Sequence, residues 1–214
     1  MPEPFVSLSP SEMEVPQIYE ILVAGVQPRP IAFISTISAD GLKNLAPFSF
    51  FMAGGANPPS VVYCPTLNKE GGKKHSLINV EETGEFVVNM VTRDMADGMN
   101  AYSLDYPDRT NEWDIAGFEP IPSDEVKPER VKESPVQFEC KAFEIILHGS
   151  SPNAACYVIG EVVKIHVAET VWNGRSIDPL KFRPICRMGG PHYLDTNSLE
   201  LFSLEGSSGS VKPS

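Results

Sequence analysis

Two long runs, residues 136–147 and 155–167, alternate apolar and polar side chains on either side of a short polar connection. A period of two belongs to strands, and two such runs so close in sequence pair antiparallel. In the second run Tyr157, Ile159, Val163, Ile165 and Val167 alternate. In the first, Val136, Phe138, Cys140 and Ala142 share a face, and the apolar positions then change phase to Phe143, Ile145 and Leu147. A strand changes phase only by taking in an extra residue. The shift therefore predicts a bulge at 142–144, the kind of kink by which sheets curl shut.

The first half of the chain supplies the rest of the sheet. Residues 30–38 are β-branched and apolar, Asp40-Gly41 is a strong hairpin turn, and 44–52 follows as the antiparallel partner. Residues 59–64 and 85–91 read as further strands, and Asn173-Gly174 marks another hairpin turn. Ile18, Ile21, Leu22 and Val26 are spaced to line one face of a helix running from 15 or 16 to 26, stopped by Pro28 and Pro30. Ser76 is placed to cap a second helix holding Leu77, Ile78 and Val80, which Gly84 ends. No strand–helix–strand rhythm runs through the chain. The expected fold class is mainly β with peripheral helices, a small closed or partly closed barrel of six or so antiparallel strands.

With 214 residues, 42% of them apolar, the chain can bury one substantial core. That domain is expected over 16–202, with 1–15 as an N-terminal extension and 203–214 as a polar tail that cannot offset the entropy of ordering. Pro107, Pro120, Pro122 and Pro128 interrupt regular structure over 105–132, which reads as a long excursion or lid. The net charge is −11, from 28 acidic and 17 basic residues, and disfavours binding to nucleic acid. No run of about 18 apolar residues and no signal-like start is visible, so no membrane association is expected and a cytosolic protein is the default. Cys64, Cys140, Cys156 and Cys186 form no C-x-x-C pair and read as buried thiols. The four histidines are too dispersed to suggest a metal centre, and His166, beside Lys164, reads as a solvated surface residue.

No motif that carries its own nucleophile, metal or phosphate loop is present, neither H-E-x-x-H, G-x-S-x-G, G-x-x-x-x-G-K-[ST] nor G-x-G-x-x-G after a strand. The chain offers instead hydroxyls and amides near strand ends (Ser35, Thr36, Ser38, Asn44, Ser49) and a cationic helix start, Lys73-Lys74-His75-Ser76. Helix N-termini leave N–H groups unpaired, so Lys74 and Ser76 read either as a phosphate cradle or as a solvated lysine and a plain cap. Pro47 cannot donate to a ladder, which implies an edge, a bulge or a backbone opened toward a ligand.

The stretch Pro28-Arg29-Pro30-Ile31-Ala32-Phe33-Ile34-Ser35-Thr36, then Asp40-Gly41, then Asn44-Leu45-Ala46-Pro47-Phe48-Ser49-Phe50-Phe51, closely resembles the FMN-binding split-barrel flavin reductases. The branch it is most similar to contains flavoredoxin and the reductase component of nitrilotriacetate monooxygenase. Asn57-Pro58-Pro59, Lys74-His75-Ser76-Leu77-Ile78-Asn79, Thr83-Gly84-Glu85-Phe86, Ile159-Gly160-Glu161-Val162 and Arg187-Met188-Gly189-Gly190-Pro191-His192-Tyr193 follow in order, so the likeness covers about 16–193. It implies a split β-barrel of antiparallel Greek-key type, a homodimer, noncovalent FMN, and hydride transfer from NAD(P)H, with electrons passed to an acceptor or a partner monooxygenase. It also implies that Arg29, Ser35, Thr36, Asn44, Ala46, Pro47, Ser49 and Phe50 line the flavin, that Lys74, Ser76 and Asn79 lie toward its phosphate and ribityl chain, and that His192 and Tyr193 stand near the ring face where nicotinamide stacks.

The chain departs from the family pattern in three places. The usual Lys-Asp-Thr is Lys74-His75-Ser76. The Gly-Asp-His of the shorter flavin reductases is absent before Tyr157. Residues 99–113 form a long aromatic segment placed to cover the flavin. The second departure keeps a flavoredoxin-like electron carrier, reduced by a protein partner, beside the enzyme. A barrel without flavin is the third class, against which the retained 44–51 motif argues.

Overall fold

The computed structural model describes residues 4–102, 112–115 and 117–198. The tail expected at 203–214, and residues 103–111 of the aromatic segment, lie outside them. Helix α1 (Val15–Gly25) leads into β1 (Arg29–Pro30) and β2 (Ala32–Ile37). The Asp40-Gly41 turn, with Gly41 at φ 89°, returns the chain as β3 (Lys43–Phe48), so that Ala32 faces Phe48 and Ile37 faces Lys43. There follow β4 (Phe51–Ala56), β5 (Pro59–Tyr63), α2 (His75–Thr83), β6 (Glu85–Met90), α3 (Ala96–Ala101), the two-residue strands β7 (Pro120–Ile121) and β8 (Arg130–Val131), β9 (Val136–His148), β10 (Ala155–Val167), β11 (Ile185–Arg187) and β12 (Tyr193–Asp195). Seven of these strands form one antiparallel sheet in the order β3-β2-β6-β9-β10-β5-β4, and β1-β11-β12 form a small second sheet.

The run expected as one strand over 44–52 is two strands. β3 and β4 stand at opposite edges of the seven-stranded sheet, yet only Ser49 and Phe50 separate them. So short a link brings the two edges side by side, and the sheet is curled into a barrel with a seam. Pro47 lies on an edge strand, where a missing N–H is tolerated. The apolar residues continue unbroken through Phe48, Phe50 and Phe51, which is why the pattern does not show the break.

β9 and β10 pair as expected, and the bulge is Phe143, which has no partner between Glu144↔Ile159 and Ala142↔Gly160. A second irregularity, between Val162 and Lys164, has no sequence signal. Up to the second irregularity, β10 buries the reverse of the face the alternation suggested: Cys156, Val158 and Val162 enter the barrel and Tyr157 faces outward; beyond it, Ile165 and Val167 lie opposite Phe138 and Val136 and return to the core side. Both faces of this strand are apolar, so the period alone could not choose between them. The barrel interior is completed by Ile34, Tyr63, Leu77, Phe86 and Val88. A second cluster, with Phe33, Leu45, Tyr102, Trp113 and Phe118, lies on the other face of β2 and β3 and anchors the excursion.

α1 forms as expected but turns the other way. Only Val23 is buried, and Ile21, Leu22 and Val26, spaced to line one face, are exposed. α2 ends at Gly84, whose φ of 71° needs no Cβ, but its N-cap is Lys74 and not Ser76. His166 is not a solvated residue. Its Nε2 lies 2.6 Å from Oε1 of the fully buried Glu139, which also accepts N–H bonds from Asp124 (2.8 Å), Glu125 (2.6 Å) and Val126 (3.2 Å). Burial alone would raise the Glu139 pKa, but these donors and His166 outweigh it and hold it below the usual carboxylate range. Asp124, Glu139 and His166 thus come together across the chain, yet Arg130 (3.8 Å from Glu139) and Lys164 (3.3 Å from Asp124) make the group an ion-pair network. All four cysteines are free, and Cys186 is only half-buried. Among the described residues no helix is long and apolar enough to cross a membrane.

Candidate functional site

A cleft opens where the seam end of β3 meets α1 and the β1-β11-β12 sheet. It consists of two cavities, of about 360 and 480 Å³, that share Tyr19, Ser49 and Arg187. Ile31, Pro47, Met99, Asn100, Pro191 and Tyr193 complete the first, and Arg29, Val23, Lys69, Asn153 and Met188 are among those that complete the second.

Arg29 is 5% exposed and belongs to the frame of this cleft. Its Nη1 donates to the carbonyls of Val23 (2.5 Å) and Val26 (2.6 Å), its Nη2 to that of Met188 (2.9 Å), and its Nε to Ser49 Oγ at 3.4 Å. The C-terminal carbonyls of a helix have no partner within it, so this guanidinium caps α1 and ties it to the loop after β11. Burial lowers the Arg29 pKa, Tyr19 opposes that, and the neighbouring Arg187 lowers it further. Phe50 packs behind this wall, its ring 6.2 Å from that of Tyr19 and 5.9 Å from the Arg29 guanidinium carbon. Arg187 sits in the ladder between Arg29 and Tyr193, with its guanidinium carbon 4.5 Å from the Tyr193 ring centroid.

Four of the residues expected around the ligand, Arg29, Pro47, Ser49 and Tyr193, therefore meet in one cleft. The others do not line it. Ser35 and Thr36 point to opposite faces of β2, as strand alternation requires. Ser35 donates to the Glu129 carbonyl at 2.5 Å, while Thr36 Oγ1 accepts from Asn79 Nδ2 at 3.0 Å. Asn44, paired with Thr36 in the ladder, donates its side-chain N–H to Glu112 Oε1 at 3.0 Å, and Glu112 Oε2 accepts from the Leu45 N–H at 3.1 Å. Burial pushes the Glu112 pKa up to about 6 against the opposing effects of the Leu45 N–H and His75. Ala46 packs on the barrel interior, and His192 is exposed outside the lining.

The start of α2 forms a second polar locus. Lys74 Nζ stands 6.0 Å from the centroid of the Phe48 ring, and Ser76, 2% exposed, has an Oγ with no hydrogen-bond partner. Tyr19 and Lys69 are lining residues without a signal in the sequence, whereas Met99 and Asn100 open the aromatic segment expected to cover the flavin and Arg187 is the first residue of the run ending at Tyr193.

Residues 25–181 match the flavin reductase like domain family, and the chain belongs to it. An uncharacterized protein of Aquifex aeolicus (strain VF5) is 37% identical over 179 residues, 83% of this chain and 89% of that one. Nitrilotriacetate monooxygenase component B from Bacillus cereus has a TM-score of 0.88 at 31% identity, covering 94% of this chain and 100% of its own. Pseudomonas fluorescens 2-nitrobenzoate 2-nitroreductase NbaA has a TM-score of 0.83 at 28% identity, covering 97% and 100%. The architecture is the split barrel of the flavin reductases.

Proposed function

We propose that this chain is a flavin oxidoreductase that holds FMN noncovalently, accepts hydride from NAD(P)H and hands electrons to an acceptor, in the simplest case a partner monooxygenase. The observation that carries the reading is the orphaned Ser76 hydroxyl. A buried O–H without a partner is costly, and this one lies in the first turn of a nine-residue helix beside Lys74, where free N–H groups and the positive end of the helix favour an anion. A phosphate there fits the donor set.

When bound, the flavin supplies the redox chemistry, which is why the chain needs no acid–base pair of its own. The protein's part is to bind and orient. Lys74 and Ser76 hold the phosphate, Ile31, Pro47 and Met99 give an apolar wall that excludes water, and Tyr193 offers a flat face to a stacking donor. The Lys74→Ala/Ser76→Ala double variant is expected to weaken FMN at least about tenfold, as for the loss of one charge-assisted contact, with an unchanged thermal melt. An unchanged dissociation constant in fluorescence titration removes the phosphate assignment.

The residues before Tyr157 favour a second reading, an electron carrier reduced by a protein. Anaerobic bleaching by NADH or NADPH, present in the first case and absent in the second, separates the two. A homodimer goes with either reading. Val15, Tyr19, Leu22 and Val26 make an exposed apolar stripe at helical spacing on α1, the helix that also walls the cleft. The name of the Bacillus cereus protein supports the monooxygenase partner. A cytosolic setting agrees with four free thiols.

A further inference from the structure

Two arginines stand side by side in the ladder of the small sheet, and they are used differently. Arg29 gives its guanidinium to three backbone carbonyls and Ser49. Arg187 gives its own to none among the described residues. It lies against the Tyr193 ring, lines both cavities, and has no carboxylate within ion-pair distance among the described residues. Lys69, which also lines the second cavity, is likewise unpaired among the described residues. Among the described residues Glu20 is the one acid lining that cavity, and it forms no ion pair with either cation. In a chain of net charge −11, two neighbouring arginines and a lysine lining one cleft without carboxylate partners among the described residues make a local positive potential that attracts an anion.

We propose that Arg187 is a specificity-determining residue that takes a phosphate of the dinucleotide electron donor, with Lys69 as the second point of contact. This rests on the flavin reading above. Contact with the Tyr193 ring holds the guanidinium at the cleft, and its N–H groups, which have no partner among the described residues, suit bidentate contact with a phosphate. The flavin's own phosphate has its donor set at Lys74 and Ser76. The unpaired Arg187 stands beside the ring face of Tyr193 and serves the molecule that enters there.

The test uses the full chain loaded with FMN and titrated calorimetrically with NADP⁺ and NAD⁺, with FMN and riboflavin titrated separately into the flavin-free protein. Arg187→Gln is expected to weaken the dinucleotides about tenfold or more, the equivalent of about 1.4 kcal/mol, and to leave FMN and riboflavin within twofold. Arg187→Lys recovers part of the loss. Unchanged dinucleotide affinity in Arg187→Gln overturns the proposal. So does a loss confined to FMN with riboflavin spared, which assigns Arg187 to the flavin phosphate. A wild-type chain that takes up FMN but neither dinucleotide also overturns it and leaves the flavin reading standing, whereas a chain that takes up no FMN overturns the flavin reading itself.

Discussion

Gly160 lacks a side chain because Phe86 occupies its place. A Cβ built there would meet the Phe86 ring at 2.3 Å and the Cys140 Cβ at 3.3 Å. Phe86 is fully buried against Tyr63, with ring centroids 5.2 Å apart, and cannot swing aside. Gly160→Ala is therefore expected to cost about 1–3 kcal/mol, the usual penalty of overpacking, read as a lower urea midpoint. Adding Phe86→Leu should recover part of that loss, because the two positions share one volume. Failure of the double variant to recover would mean that the glycine serves its backbone and not the ring. At this scale the sequence was a partial guide. Ser49 and Pro47 could be picked out as residue types that bind and Tyr193 through the family resemblance, but Arg29 could not be recognised as a cap, because its partners are carbonyls from 23, 26 and 188. The pairing of His166 with Glu139, 27 positions apart, was equally invisible.

Elements were legible where local chemistry determined them. The Asp40-Gly41 hairpin, the stop at Gly84 and the bulge in β9 each follow from a few adjacent residues. The break between β3 and β4 and the inward face of β10 follow from closure of the barrel, which no local pattern records. The turn Glu112–Asp114 is a further case, since it is fastened to β3 by one carboxyl that accepts from Leu45 and Asn44 and is faced by His75. That carboxyl's folded pKa of about 6 lies above its ordinary 4.5, so the folded state binds more protons between those values. Its contribution is favourable below about pH 4.5 and is lost as pH rises through 6, in all about 2 kcal/mol. Glu139, whose pKa is lowered, works with the opposite sign: its contribution is present at neutral pH and lost in acid. Glu112→Gln is expected to flatten the fall in stability between pH 5 and 7, measured by urea unfolding at a series of pH values. An unaltered slope would mean that Glu112 is ionised throughout in the folded chain.

At the scale of the whole molecule the two edges of the sheet, β3 and β4, meet at the seam, while α1 is left half finished. A helix that buries one side chain, Val23, and exposes Val15, Tyr19, Leu22 and Val26 gains little from packing against its own chain. Hydrophobic burial is what stabilises most helices in proteins, so the proposed homodimer would account for the outward apolar stripe by laying a second copy on it. That contact would also join assembly to function, because Tyr19 on the same stripe lines the cleft. In a twofold interface each residue counts twice. Leu22 does not line the cleft, and Leu22→Glu removes about 1.5 kcal/mol or more per copy, so dimerisation should weaken at least a hundredfold. Sedimentation at micromolar concentration should show the wild type as a dimer and Leu22→Glu as a folded monomer with weaker flavin retention. A wild-type monomer, or a Leu22→Glu variant that still dimerises, would show that α1 is not the contact between copies.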